Sequence, residues 1–120
     1  MENRGAQHRR ERLADALRDE LGAILEGELG DPRIGLATVS EVSLAPDRRS
    51  ARVFVHAEGN EREAEETLAG LNAAKGYIRR QLVERLGLRH APELFFYVDH
   101  SQEFESRIDE LLDRIKKRKK

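Results

Sequence analysis

The stretch Leu71–Leu82, LNAAKGYIRRQL, keeps apolar residues at Leu71, Ala74, Ile78 and Leu82, the spacing of an amphipathic helix, yet sets Gly76 in its middle with two arginines behind it. Glycine in a helix interior costs about 1 kcal/mol relative to alanine. Gly70 adds a second penalty of the same kind, so the pattern predicts a bend near Ala74 to Gly76 rather than a straight helix. A helical glycine also fits the close approach of a packed neighbour, but here the surroundings favour the bend. Asn72, Lys75 and Arg79 recur three and four residues apart on one outward polar face, with Arg80 beside them. A bend at that point would expose backbone N–H groups next to three cations, an arrangement suited to a phosphate backbone.

Outward from this stretch the helical stripe continues upstream through Ala64 and Leu68 and downstream to Leu86. Ahead of it, IGLATVSEVSLAPDRRSARVFVHAEG changes to β-branched alternation, with Ala45-Pro46-Asp47 as a turn signal, and predicts a hairpin over roughly 35–45 and 49–57. The apolar phase slips between Leu36 and Ala37 and returns before Val42, which predicts a bulge or strong twist. Nearer the N-terminus, Leu13, Leu17, Leu21, Ile24, Leu25 and Leu29 mark a long amphipathic helix, ended by Gly30 and Asp31-Pro32. Downstream, PELFFYVD reads as a strand over 93–98, and Phe104, Ile108, Leu111, Leu112 and Ile115 form a last amphipathic helix running into KKRKK. The order α, β, β, interrupted α, β, α defines an α+β domain.

A chain of 120 residues with 38% hydrophobic and 38% charged composition suits one domain with one modest core. We expect a single domain over 1–120, with a short basic N-terminal arm (1–8) and a basic tail (116–120). There is no cysteine, which excludes disulfides and thiolate metal sites. The N-terminal MENRGAQHRRER lacks an apolar signal core and no long apolar run occurs, so a cytoplasmic location and no membrane partner are expected. Net charge is -1, which alone argues against phosphate binding. The distribution says otherwise. Arginines cluster at Arg4, Arg9, Arg10 and Arg12, and residues 72–90 hold Lys75, Arg79, Arg80, Arg85 and Arg89 against Glu84 alone. The flanking EGNEREAEE and DHSQEFESRIDELLD are acidic, so the molecule is expected to be electrically two-faced.

Together, the hairpin, the broken helix and the returning strand resemble the type II K-homology fold, a three-stranded sheet packed by helices. RRERLADALRDELGAILEGEL, DPRIG, AAKGYIRRQL and LRHAPELFFYVDHS, in this order from about Arg9 to Ile115, resemble the bacterial ribosome-binding factor A family. That resemblance implies a non-catalytic factor, monomeric when free, which binds the small (30S) ribosomal subunit and its 16S rRNA late in maturation and is associated with growth in the cold. It also implies that an Ala-x-Gly kink replaces the Gly-x-x-Gly loop of ordinary K-homology domains, and Ala74, Lys75 and Gly76 match that kink. Arg9, Arg10, Arg12, Arg33, Ala74, Lys75, Gly76, Arg79 and Arg80 are the candidate RNA-binding residues. The GELG at Gly27–Gly30 spells Gly-x-x-Gly, but it carries Glu28 at a helix end and reads as a C-cap. KKRKK either binds rRNA or places cations at the carbonyl end of the last helix.

Catalytic readings find little support. Asp99, His100 and Ser101 are consecutive and cannot line up as a nucleophile, base and orienting acid. The four histidines lack metal-ligand spacing, and no Walker or Rossmann loop occurs, so neither a cofactor nor a small-molecule substrate is expected. Phe95, Phe96 and Tyr97 suggest base stacking, but strand alternation assigns most of them to the core. Arg48 and Arg49 at the hairpin turn serve RNA contact or solubility. The competing class is a protein-interaction domain that docks through its amphipathic helices, and exposed apolar residues outside the core stripes would favour it; few are expected.

Overall fold

The computed structural model describes residues 4–27, 29, 32–34 and 37–118. Helix α1 (Arg4–Gly27) buries Leu17, Leu21, Ile24 and Leu25 along one stripe. It begins at Arg4, so most of the expected basic arm is helical. The expected stop at Gly30 and Asp31 lies outside the described residues. Strands β1 (Ala37–Leu44) and β2 (Ser50–Ala57) pair antiparallel, and the register shifts between Val39 and Glu41, where the slipped apolar phase demands a bulge.

Helix α2 (Glu61–Ala73) starts on a capping box: the Glu63 N–H donates to the Asn60 side chain at 2.9 Å and the Asn60 N–H donates to the Glu63 carboxylate at 3.2 Å. It stops at Ala74, and helix α3 (Lys75–Leu86) follows at once, closed by Gly87 in a left-handed conformation at φ 62°. The bend predicted from the glycines is therefore a full break. Strand β3 (Glu93–Val98) then pairs parallel to β2, giving the order β1-β2-β3.

One face of this sheet makes the core. Ala51, Val53, Val55, Leu94 and Phe96 point inward to Leu17, Leu21 and Ile24 of α1, Leu71 of α2, and Ile78 and Leu82 of α3. Each large aliphatic side chain so buried contributes about 1.5–3 kcal/mol, and Thr67, the one buried polar residue among those described, donates to the Ile34 and Glu63 carbonyls.

Two expectations need correcting here. Of Phe95, Phe96 and Tyr97 only Phe96 is buried, because its neighbours alternate onto the opposite, uncovered face, where they are 40% and 45% exposed. The second concerns exposed apolar residues, of which few are expected: along the last helix, α4 (Ser101–Arg118), Phe104 is 66% exposed and Ile108, Leu111, Leu112 and Ile115 are 42–54% exposed. Its stripe is as regular as the sequence predicts, but no described element packs against it closely enough to cover it.

Candidate nucleic-acid interface

Ala74 is both the last cap of α2 and the first of α3, with φ −88° and ψ 0°. Its N–H still donates to the Gly70 carbonyl at 3.0 Å, and the Ile78 N–H donates to the Ala74 carbonyl at 3.0 Å, so the chain bends through one non-helical residue and restarts. No side chain caps α3. The first turn of a helix presents N–H groups outward and a partial positive charge. Gly76 lies in that turn, exposed, with φ outside the left-handed region, and a Cβ built there would meet only the Arg80 guanidinium, at 3.8 Å. Nothing inside the fold requires glycine at this position. What its missing side chain leaves is a bare patch of backbone open to solvent.

Beside that patch is a shallow cavity of about 400 Å³ lined by Gly76, Arg79, Arg80, Arg89, His90 and Ala91, with Glu84 the one carboxylate among its lining residues. Parallel pairing explains the concentration of charge. β2 and β3 both begin at this end of the sheet, the Glu93 N–H donating to the carbonyl of Arg49 in the hairpin turn at 2.8 Å, and the segment entering β3 brings Arg89 and His90 to the same cavity as Gly76. Arg10 lines a further depression at the same turn with Ser43, Pro46 and Arg52. The opposite end is acidic. There a cavity of about 530 Å³ is rimmed by Glu61, Glu65 and Glu103 over Ala64, Leu68 and Phe96, with the wrong sign for phosphate. Charges mixed in the sequence are thus sorted to opposite ends of one sheet.

The candidate residues do not all occupy the positions expected of them. Arg80 is exposed beside Gly76, and the Lys75 ammonium lies 5.5 Å from the centre of the Phe95 ring. Arg79 departs from the expected outward face: its Nε donates to the Pro92 carbonyl at 3.1 Å and its Nη2 to the Ala91 carbonyl at 2.9 Å, which tie α3 to the start of β3. Arg9 and Arg12 are exposed on α1, Arg10 is half-buried, and Arg33 is exposed in the turn after α1. Arg89 and His90 were not among the candidates, although LRHAP sits directly ahead of a predicted strand; only the parallel pairing of β3 with β2 brings them to Gly76. Among the described residues no group of three or more His, Asp or Glu is placed to hold a metal ion.

A split helix packed on a three-stranded mixed sheet defines an α+β, K-homology-like protein. The crystal structure of ribosome-binding factor A from Thermus thermophilus superposes with a TM-score of 0.67 at 30% identity, over 74% of this chain and 93% of that one. Coordinates of the Thermus thermophilus factor fitted into a cryo-EM map of its complex with the 30S particle give 0.63 at 30% identity, with the same coverage. The family model for ribosome-binding factor A matches residues 9–112. The ribosome-binding factor A of Koribacter versatilis is 58% identical over 120 residues, covering 100% of this chain and 98% of the relative, and that of Thermomicrobium roseum is 44% identical over 108 residues, 90% and 84% respectively. The chain belongs to the ribosome-binding factor A family.

Proposed function

We propose that this chain binds the 16S rRNA of the maturing small ribosomal subunit, in the cytoplasm and without catalysis, and that it supports the late steps of subunit processing and assembly, with the association with growth in the cold that the family resemblance implies. The observation that carries the reading is the junction at Ala74: helix α3 starts uncapped at Lys75, and the bare Gly76 of its first turn lines one cavity with the cations Arg80 and Arg89. The fitted 30S complex of a relative supports the choice of partner. Phosphates of folded rRNA would approach the N–H groups at Gly76 and the neighbouring cations, with Arg9, Arg10, Arg12 and Arg33 extending the contact. Such contacts set register and follow RNA shape more than they read base edges. The chain acts by differential binding, favouring one arrangement of the rRNA over its alternatives.

The exposed stripe of α4 favours a second reading, in which the protein docks to a partner protein through its helices. Sedimentation of cell extract on a sucrose gradient separates the two. Binding to the maturing subunit places the protein with free small subunits at low salt and leaves it largely absent from 70S particles. Recovery only in ribosome-free fractions under gentle conditions overturns the reading and puts the protein-docking one in its place.

A further inference from the structure

The face of the sheet turned away from the core carries a row of aromatic rings that the phosphate site does not use. In the parallel register Arg52 stands beside Phe95 and Phe54 beside Tyr97, so all four side chains rise from one surface. The Phe54 and Tyr97 rings stack with centroids 5.6 Å apart and an interplanar angle of 28°. Phe95 and Tyr97 are 40% and 45% exposed. Along one strand they are separated by about 6.6 Å, roughly two base-stacking steps. Cations flank them: Arg52 across the strand from Phe95, and the Lys75 ammonium 5.5 Å from the Phe95 ring centre. Lys75 is also the first residue of α3, so one side chain joins the aromatic row to the bare backbone at Gly76.

We infer that this row is a stacking platform for unpaired bases of single-stranded RNA, continuing the strand whose phosphates lie at the α2–α3 junction; the inference rests on the RNA-binding reading above. Size decides between RNA and a protein partner. The two exposed rings offer roughly 200 Å² between them, whereas a protein interface of standard size takes about 800 Å² from each partner. The β1 side of the same face is polar, with Thr38, Ser40, Glu41 and Ser43, so the apolar strip does not widen. Base stacking needs only ring-sized platforms and tolerates any base. Glu41 and Glu93 also stand on this face and hold the phosphates to the Lys75 side.

The chain has two tyrosines and no tryptophan, so Tyr77→Phe leaves Tyr97 as the one tyrosyl fluorophore. In that background a single-stranded oligouridylate should quench the emission, while an abasic ribose-phosphate strand of equal length should bind more weakly and leave it unchanged. Phe95→Leu and Tyr97→Leu, made in the otherwise native chain and read by anisotropy of labelled RNA, should each weaken oligouridylate binding about ten-fold. The log-log salt slope should stay the same, since the phosphate contacts remain. Tyr97→Trp should bind at least as well as the native chain, and thermal melts of the two leucine variants that retain a cooperative transition show that their lost binding is not lost folding. Equal binding of abasic and base-bearing strands without quenching overturns the platform and leaves the phosphate site standing. Failure of every strand to bind overturns the platform, while the small-subunit reading stands or falls on its sedimentation. Weakened association of the leucine variants with small subunits at unchanged oligouridylate affinity overturns the platform in favour of a protein contact.

Discussion

Arg79 is bonded to Ala91: its Nη2 donates to that carbonyl at 2.9 Å while its Nε donates to the neighbouring Pro92 carbonyl, so a side chain of α3 positions the entry to β3. A cation whose donors are turned onto backbone carbonyls has a structural task, whatever its charge contributes at a distance.

Arg79→Gln should therefore cost about 2 kcal/mol of stability, the scale of losing partly buried hydrogen bonds to a charged donor, and should change the salt dependence of RNA binding little. Lys75→Gln and Arg80→Gln should do the reverse, each lowering the log-log salt slope by roughly 0.7 to 0.9 with stability nearly unchanged. Urea melts and RNA titrations across a salt series on the three variants check the division. A slope equal to the native one for both Lys75→Gln and Arg80→Gln would falsify the phosphate site.

Gly76→Ala should separate folding from binding. The position is helical, exposed and free of clashes, so alanine should stabilise by about 0.5–1 kcal/mol, a few degrees in Tm. RNA affinity should fall, because the methyl group stands where backbone is otherwise bare. Calorimetry paired with RNA titration tests this, and an unchanged affinity would mean that no ligand approaches Gly76 closely.

Asp99 links the sheet to the start of α4 and should make stability sensitive to acid. Its carboxylate accepts from the Ser40 hydroxyl at 2.6 Å and from the Ser101 N–H at 2.8 Å, and these bonds, the Ser40 one foremost, hold its pKa below the ordinary 3.8. A lowered folded pKa means that the unfolded chain takes up the proton first. The resulting stabilisation is complete above the unfolded value near 3.8 and is lost as pH falls through the lower folded value. Urea melts of the native chain and of Ser40→Ala from pH 6 down to pH 2 should converge in acid, with Ser40→Ala less stable at neutral pH. Parallel curves would show that the bond carries no linkage.

Arg48 adopts φ 62° in the hairpin turn, where its N–H donates to the Ala45 carbonyl at 2.9 Å. Left-handed backbone costs a residue with a Cβ about 1 kcal/mol. Arg48→Gly should recover that amount in a thermal melt if folding alone is at stake. The same variant should flatten the salt slope of RNA binding if the guanidinium touches phosphate.

Much of the fold was legible because periodicity reports directly on burial. The slipped phase around Ala37 became the bulge at Val39 and Glu41, and the paired glycines marked the break at Ala74. Spacing along the chain is silent on what nonadjacent segments do to each other. It placed Arg79 on an outward face, where a long side chain instead finds two carbonyls that only the path into β3 supplies. It assigned most of Phe95, Phe96 and Tyr97 to the core, where only Phe96 lies, because alternation shows that two faces exist, not that one of them is left uncovered. It could not join Arg89 to Gly76, since that neighbourhood depends on β3 running parallel to β2. For α4 the spacing predicts the apolar stripe that the helix carries; a pattern holds no information about whether its partner lies in the same chain.

Helix α4 divides the chain into parts with different lifetimes. A helix of 18 residues whose apolar side chains already face solvent is held mainly by its own backbone bonds, without the tertiary packing of an amphipathic face from which most helices in proteins draw their stability. Its amides should exchange with deuterium through fraying, at rates that ignore denaturants acting on the core, while Leu21, Val53 and Leu82 should exchange only when the whole body opens. Melting α4 uncovers little new apolar surface, so it adds little to the heat capacity of unfolding. The calorimetric transition therefore reports on the body from Arg4 to Val98, and any surface that protects α4 amides from exchange identifies itself as what that helix was shaped to meet.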